Sequence, residues 1–138
     1  MIQLRLEHFE SIVVYAQQSA PAECCGLVSG DSAGKSVSIY PLQNVAPNAE
    51  LAYEAAPEQL FQAQRLMRER GQTLLAIYHS HPRAANPQPS DTDVRLAYYP
   101  SAIYLIVGLG ADEPVVKAFQ ISEREQAWQS VEYALTGE

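Results

Sequence analysis

Of the 138 residues only two are cysteine, and Cys24 and Cys25 are adjacent. A structural disulfide joins separated backbones whose Cβ atoms approach to about 4 Å, a geometry that chain neighbours do not ordinarily reach. No disulfide framework is therefore encoded, and the expectation is a protein of the reducing, cytoplasmic compartment. Basic side chains are also scarce: nine Lys and Arg stand against sixteen Asp and Glu, for a net charge of −7. No Lys- or Arg-rich run occurs, which argues against tight nucleic-acid binding, since that affinity comes from neutralised phosphates. No apolar run approaches the roughly 20 residues of a membrane span. The opening "MIQLRLEHFE" is charged from its start and lacks the apolar core of a signal peptide. Apolar residues are not lacking: at 47% of the chain they exclude disorder. The length fits one domain, residues 1–138, with one sizeable core.

Ile2 to Leu6 alternates apolar and polar residues and reads as a short strand. Phe9, Ile12, Val13 and Ala16 then follow the spacing of an amphipathic helix that Pro21 closes. "CCGLVSG" reads as a buried strand, "DSAGKS" as a hairpin loop and "VSIYPLQN" as the returning strand. Leu51 to Glu54 is expected to form a short strand. Pro57 suits the first turn of a helix carrying Leu60, Ala63 and Met67, with Gly71 at its C-terminal cap. "TLLAIYHSH" is the most apolar strand and is expected at the centre of the sheet. A proline-rich loop follows, then a helix from Ser90 that Pro100 closes. "AIYLIVGL" and "VVKAFQIS" are two more strands. Glu125 to Leu135 fits a helix through Trp128, Val131 and Leu135, or a strand through Val131 and Tyr133. Helices interleaved with strands give a mixed α/β (α+β) layered fold.

The segment "IYHSHPRAANPQPSDTD" holds two of the three histidines, with Asp93 twelve positions beyond the second. Residues i and i+2 of a strand share a face, so His79 and His81 project together and Ser80 projects away. Pro82 ends the pairing and leaves both imidazoles beside a loop. Two imidazoles and a carboxylate form a common three-ligand set for catalytic zinc, with the fourth position left to water. A second reading competes. "SDTD" is also a capping box, in which Ser90 bonds the backbone N–H of residue 93 and Asp93 reaches back. Ser90 can serve both readings, because its oxygen accepts while its O–H donates; for Asp93 they compete. Upstream, Glu23 opens the "CCGLVSG" strand. A carboxylate there is either a solvated strand end or the base that a zinc hydrolase needs beside its water.

"PAECCGLVSG", "IYHSHP" and "PSDTD", in that order, resemble the JAMM (MPN+ or JAB) metalloprotease domain, in its compact prokaryotic form. The resemblance covers nearly the whole chain. It implies an MPN fold: a curved mixed β-sheet with flanking helices, distantly like cytidine deaminase. It implies His79, His81 and Asp93 as ligands of one zinc ion with water as the fourth ligand. It implies Glu23 as general base and then acid, and Ser90 as a donor to the oxyanion. The implied reaction is hydrolysis of an amide or isopeptide bond after the C-terminal Gly-Gly of a ubiquitin-like protein or a ThiS/MoaD-type sulfur carrier. One departure stands out: eight residues, Pro82 to Pro89, separate His81 from Ser90, where seven are usual.

Other readings remain beside this one. Relatives without ligands serve as non-catalytic scaffolds or interaction domains, but this chain keeps every expected ligand and the glutamate. Zinc deaminases use H-x-E and P-C-x-x-C, and neither occurs here. Cys24 and Cys25 read as small buried hydrophobes, with Cys25 on the face of Glu23. His8 reads as a surface or capping residue. Tyr53 and Tyr78 either line the cleft or join the core.

Overall fold

The computed structural model describes residues 1–137. In chain order the elements are β1 (Ile2–Arg5), α1 (Leu6–Ser19), β2 (Cys25–Gly30), β3 (Ser36–Leu42), α2 (Pro57–Glu69), β4 (Thr73–His81), α3 (Asp91–Arg95), β5 (Ile103–Gly108), β6 (Val115–Ser122), β7 (Ala127–Val131) and β8 (Tyr133–Thr136). Six strands form one mixed sheet in the order β3-β2-β4-β5-β6-β7, and β1 and β8 pair in parallel as a separate ribbon. Within the large sheet β4 and β5 are parallel and the other pairs antiparallel. The fold is of the mixed α+β kind, and no helix among the described residues is long and apolar enough to cross a membrane.

Strand periodicity sorts the sheet into two faces. One face carries Val28, Ala76, Tyr78, Leu105, Val107 and Ala118, packed with Ile12 and Ala16 of α1 and Leu4 of β1. The other carries Cys25, Leu27, Ile77, Tyr104, Ile106, Phe119 and Ile121, packed with Ala63 and Met67 of α2 and with Val94 and Ala97 at α3. His79 and His81 continue the row begun by Ile77, so they emerge on the α2/α3 side. β4 lies between β2 and β5, and its residues from Ala76 to Ser80 are buried. Gly26 faces Tyr78 across the β2/β4 ladder. A Cβ at Gly26 would lie 2.2 Å from the Tyr78 ring, so only glycine admits that fully buried tyrosine. Gly71, at φ +67, ends α2 in the left-handed conformation as expected.

Two segments differ from the sequence expectation, and the tail, open between helix and strand, takes the strand reading. Leu51 to Glu54 forms no strand; the nearest pairing is an isolated bridge between Asn44 and Ala55. The Glu54 amide that a ladder would use donates instead to the Asn44 side chain at 3.0 Å. α3 stops at Arg95 and does not run on to Pro100. The residue before a proline is disfavoured in helical backbone, and the Tyr99 amide turns to donate to the Tyr104 hydroxyl at 3.3 Å. The tail resolves into strands. β7 covers the edge of β6, and Trp128 meets Phe119 edge-on with centroids 5.3 Å apart.

Candidate active site

Because β4 is laddered on both sides, the backbone of its C-terminal end is fixed by neighbours. His79 pairs with Cys25 of β2 and with Ile106 of β5, and His81 pairs with Gly108. His79 is fully buried. The two Nε2 atoms are 3.1 Å apart. Asp93 Oδ2 lies 3.1 Å from His79 Nε2 and 3.1 Å from His81 Nε2. Ser80, between the histidines, points to the opposite face, where its Oγ accepts from the Cys24 amide at 2.8 Å. The middle residue of H-x-H thus anchors the chain immediately after Glu23.

The capping box at α3 is complete. The Asp93 amide donates to Ser90 Oγ at 3.0 Å, and the Ser90 amide donates to Asp93 Oδ2 at 2.9 Å. That Oδ2 is the same oxygen that meets both imidazoles. The two readings of Asp93 therefore coexist: the cap orients the carboxylate, and its second lone-pair direction faces the histidines. The eight-residue loop before Ser90 is held down along its length. Its Pro87 is buried, and the Gly110 amide donates to the Ala84 carbonyl at 2.9 Å. A Cβ at Gly110 would fall 2.3 Å from the Arg83 carbonyl oxygen, so the loop rests directly on bare backbone beyond β5.

Glu23 completes the cluster. It is 6% exposed. Its carboxylate and the His79 and His81 nitrogens lie within 4.8 Å of one another. Burial pushes the Glu23 carboxyl up to about 7, partly offset by the His81 charge. Asp93 goes the other way: burial opposes its charge, but His79, His81 and the Ser90 amide hold it well below the usual carboxylate range. Burial lowers the proton affinity of His81, and the bond and charge of Asp93 raise it further than that.

The donor set fits a divalent metal. Three lone-pair atoms meet at equal separations of 3.1 Å. Ligands about 2.0–2.1 Å from a tetrahedral zinc stand about 3.3 Å from each other. Imidazole and carboxylate suit zinc and its divalent neighbours. The cysteines take no part. Cys24 packs on the α1 side, and Cys25 Sγ lies 3.7 Å from the Leu42 carbonyl. Burial pushes their thiols up to about 11 and about 12, so both stay protonated. His8 is half-buried and hydrogen-bonds Ser36 Oγ through Nδ1 at 2.7 Å, away from the cluster.

Of the two tyrosines, Tyr78 belongs to the core and Tyr53 to the site. The Tyr53 ring stacks on His79 with centroids 4.5 Å apart and planes 27° apart. His79 Nδ1 is buried and has no hydrogen-bond partner among the described residues. A cavity of about 380 Å³ opens beside Ser90 and Asp93, and Tyr53, Leu60, Leu96, Tyr98 and Tyr99 are among its lining residues. The cleft reading of Tyr53 does not extend to its stacking on His79, and Asn44, with five side-chain hydrogen bonds, is not singled out by the sequence. Neither has a spacing signal, since each acts across a turn onto residues distant in the chain.

Residues 5–122 match the family described as "Prokaryotic homologs of the JAB domain". The desampylase of Haloferax volcanii is 37% identical over 102 residues, covering 70% of this chain and 73% of that protein. A probable TtuB-protein conjugate cleaving protease of Thermus thermophilus is 36% identical over 109 residues, covering 79% and 68%. A solution structure from Desulfitobacterium hafniense superposes with a TM-score of 0.86 at 34% identity, covering 100% of this chain and 94% of that one. A JAB1/MPN domain protein of Archaeoglobus fulgidus shares the fold with a TM-score of 0.65 at 18% identity, covering 99% and 98%.

Proposed function

The chain belongs to the prokaryotic homologs of the JAB domain, and from that premise we propose that it is a zinc-dependent hydrolase of amide or isopeptide bonds. Its substrate is a ubiquitin-like or ThiS/MoaD-type sulfur-carrier protein, cut after the C-terminal Gly-Gly. The relatives named for desampylation and for cleaving TtuB conjugates support that class of substrate. The observation that carries the reading is the convergence of His79 Nε2, His81 Nε2 and Asp93 Oδ2 at 3.1 Å separations, with Glu23 beside them.

His79, His81 and Asp93 hold one zinc ion in this proposal. When bound there, zinc supplies an acidified water and a polarised carbonyl. Glu23, within reach of the imidazoles, accepts the proton of the attacking water at its carboxylate and later delivers it to the leaving amine. The Ser90 hydroxyl accepts the Asp93 amide bond through its oxygen, which leaves its O–H free to donate to the developing oxyanion. One such donor is worth about 3 kcal/mol of barrier. A scaffold role fits poorly with a site that keeps every ligand and a buried glutamate aimed at them.

The test is direct. The zinc-loaded protein is incubated with Gly-Gly-tailed small carriers extended by one or more residues, and the products are weighed by mass spectrometry. The expected product ends at the second glycine. Intact carriers after incubation with fully loaded protein would end the hydrolase reading.

A further inference from the structure

Glu23 lies outside the ladder that fixes β4, because β2 begins only at Cys25. Ser80 of β4 holds the Cys24 amide that follows it, and the loop between β3 and α2 holds Glu23 itself. The Glu23 amide donates to the Ala49 carbonyl at 2.7 Å. The Glu23 carbonyl accepts from Asn44 Nδ2 at 2.9 Å. The same Nδ2 reaches the Ala52 carbonyl at 3.1 Å and the Ala49 carbonyl at 3.4 Å. Asn44 Oδ1 accepts from the Ala46 and Glu54 amides, each at 3.0 Å. One half-buried carboxamide thus closes the loop on itself and fastens it to the chain at Glu23.

That loop also carries Tyr53, the ring stacked on His79. A ligating histidine is ordinarily oriented by a hydrogen bond from its other ring nitrogen. His79 Nδ1 has no such partner among the described residues, so the imidazole plane is set by ring contacts, the Tyr53 face at 4.5 Å and the edge-on His81 ring at 4.9 Å. Both the carboxylate beside the cluster and the ring laid on its buried histidine depend on the same loop.

We propose that Asn44 is the positioning residue of this site, setting through one carboxamide both the backbone of Glu23 and the seat of Tyr53 on His79. The inference deepens the hydrolase reading and rests on it. Asparagine is specific here because the chemistry is two-sided: its NH₂ donates to carbonyls while its oxygen accepts from amides. Aspartate keeps the acceptor and the shape, but turns a negative oxygen toward three carbonyls.

The test compares the full chain with Asn44→Asp and Asn44→Ala, and adds Asn44→Ser, which keeps a smaller donor and acceptor. Three readouts are taken: kcat and KM on a Gly-Gly-tailed carrier extended by one residue, the visible spectrum of the cobalt(II)-loaded protein, and amide exchange at Glu23 and Glu54. The expected result is a kcat lowered about 10- to 100-fold, with KM within about twofold. The cobalt bands shift as His79 turns, and both amides exchange faster. Asn44→Ser falls between the wild type and alanine. Wild-type kcat, cobalt bands and exchange in Asn44→Asp would overturn the proposal, as would loss of the folded state in all three variants, since a positioning role requires an intact frame. If the wild type binds cobalt but cleaves no carrier, the hydrolase reading falls, and the spectrum and exchange still decide the role of Asn44.

Discussion

Asp93 and Glu23 are two carboxylates that border the same pair of imidazoles, and they are held in opposite ways. Asp93 is oriented by its own helix: its cap partner Ser90 is three positions away and bonds it in both directions. Glu23 is oriented by a loop from elsewhere in the chain, through Asn44 at a separation of 21 positions. Their proton affinities diverge as well. Against the opposing effect of burial, His79, His81 and the Ser90 amide hold Asp93 below the carboxylate range, whereas burial takes Glu23 up to about 7. Two carboxyl groups whose surroundings push them apart in this way are suited to different tasks, one to stay charged and one to exchange a proton. In the proposed roles, the carboxylate that would bind metal is held by short-range structure and the one that would carry the proton by long-range structure.

The largest effect comes from removing the point the two share. His79→Ala deletes a fully buried proposed ligand, and we expect it to abolish stoichiometric zinc binding and reduce cleavage to background. Metal content after gel filtration and a carrier-cleavage assay measure this together. Retention of one zinc per chain would mean that the cluster is not the metal site.

Next come the two carboxylates taken singly. Glu23→Gln keeps size and burial, so zinc content stays at the wild-type level while kcat falls about 10²- to 10⁴-fold, the range of a lost general base. Asp93→Asn keeps an oxygen for the Ser90 amide but removes the charge facing the histidines. It should lose zinc affinity in a chelator competition and lower thermal stability at neutral pH, because the charged form that His79, His81 and the Ser90 amide favour is gone. If the two variants behaved alike, the division of labour between them would collapse.

This contrast also marks what was legible in the sequence. Strand β4 announces itself by its apolar run, and H-x-H places both imidazoles on one face because strand periodicity is local. The Ser90–Asp93 cap is legible for the same reason: its partners are three residues apart. Glu23 was recognisable only through its resemblance to a family, since an acidic residue before a strand carries no periodic signal. Nothing in "QNVAPNAE" distinguishes Asn44 from an ordinary loop former. Its five partners are set by a tertiary turn. The same cause explains the expected strand at Leu51 to Glu54, where side-chain bonds to Asn44 replaced a ladder. Tyr53 and Tyr78 looked equivalent by composition. Only the missing Cβ of Gly26 across the sheet made room for one of them in the core.

Ser90 offers a smaller effect with two separable parts. Ser90→Ala removes a cap, at a cost of about 1 kcal/mol in stability, and removes the proposed oxyanion donor, at a cost of about 10²-fold in kcat. A stability loss without the kinetic loss would restrict Ser90 to the short-range support of Asp93.

The smallest effect tests whether the long-range support has a second fastening. Arg83 Nη2 lies 3.3 Å from Glu50 Oε1, joining the loop after His81 to the loop that holds Glu23. The side chains are 76% and 50% exposed, and exposed pairs of this kind contribute about 0.2–1 kcal/mol. Arg83→Ala should therefore lower stability by less than about 1 kcal/mol and leave kcat unchanged. A double-mutant cycle with Glu50→Ala should return a coupling in that range, reduced further by added salt. A coupling several times larger would mean that the two loops are clasped at their tips. Much of the restraint on Glu23 would then move from the half-buried carboxamide of Asn44 to the surface.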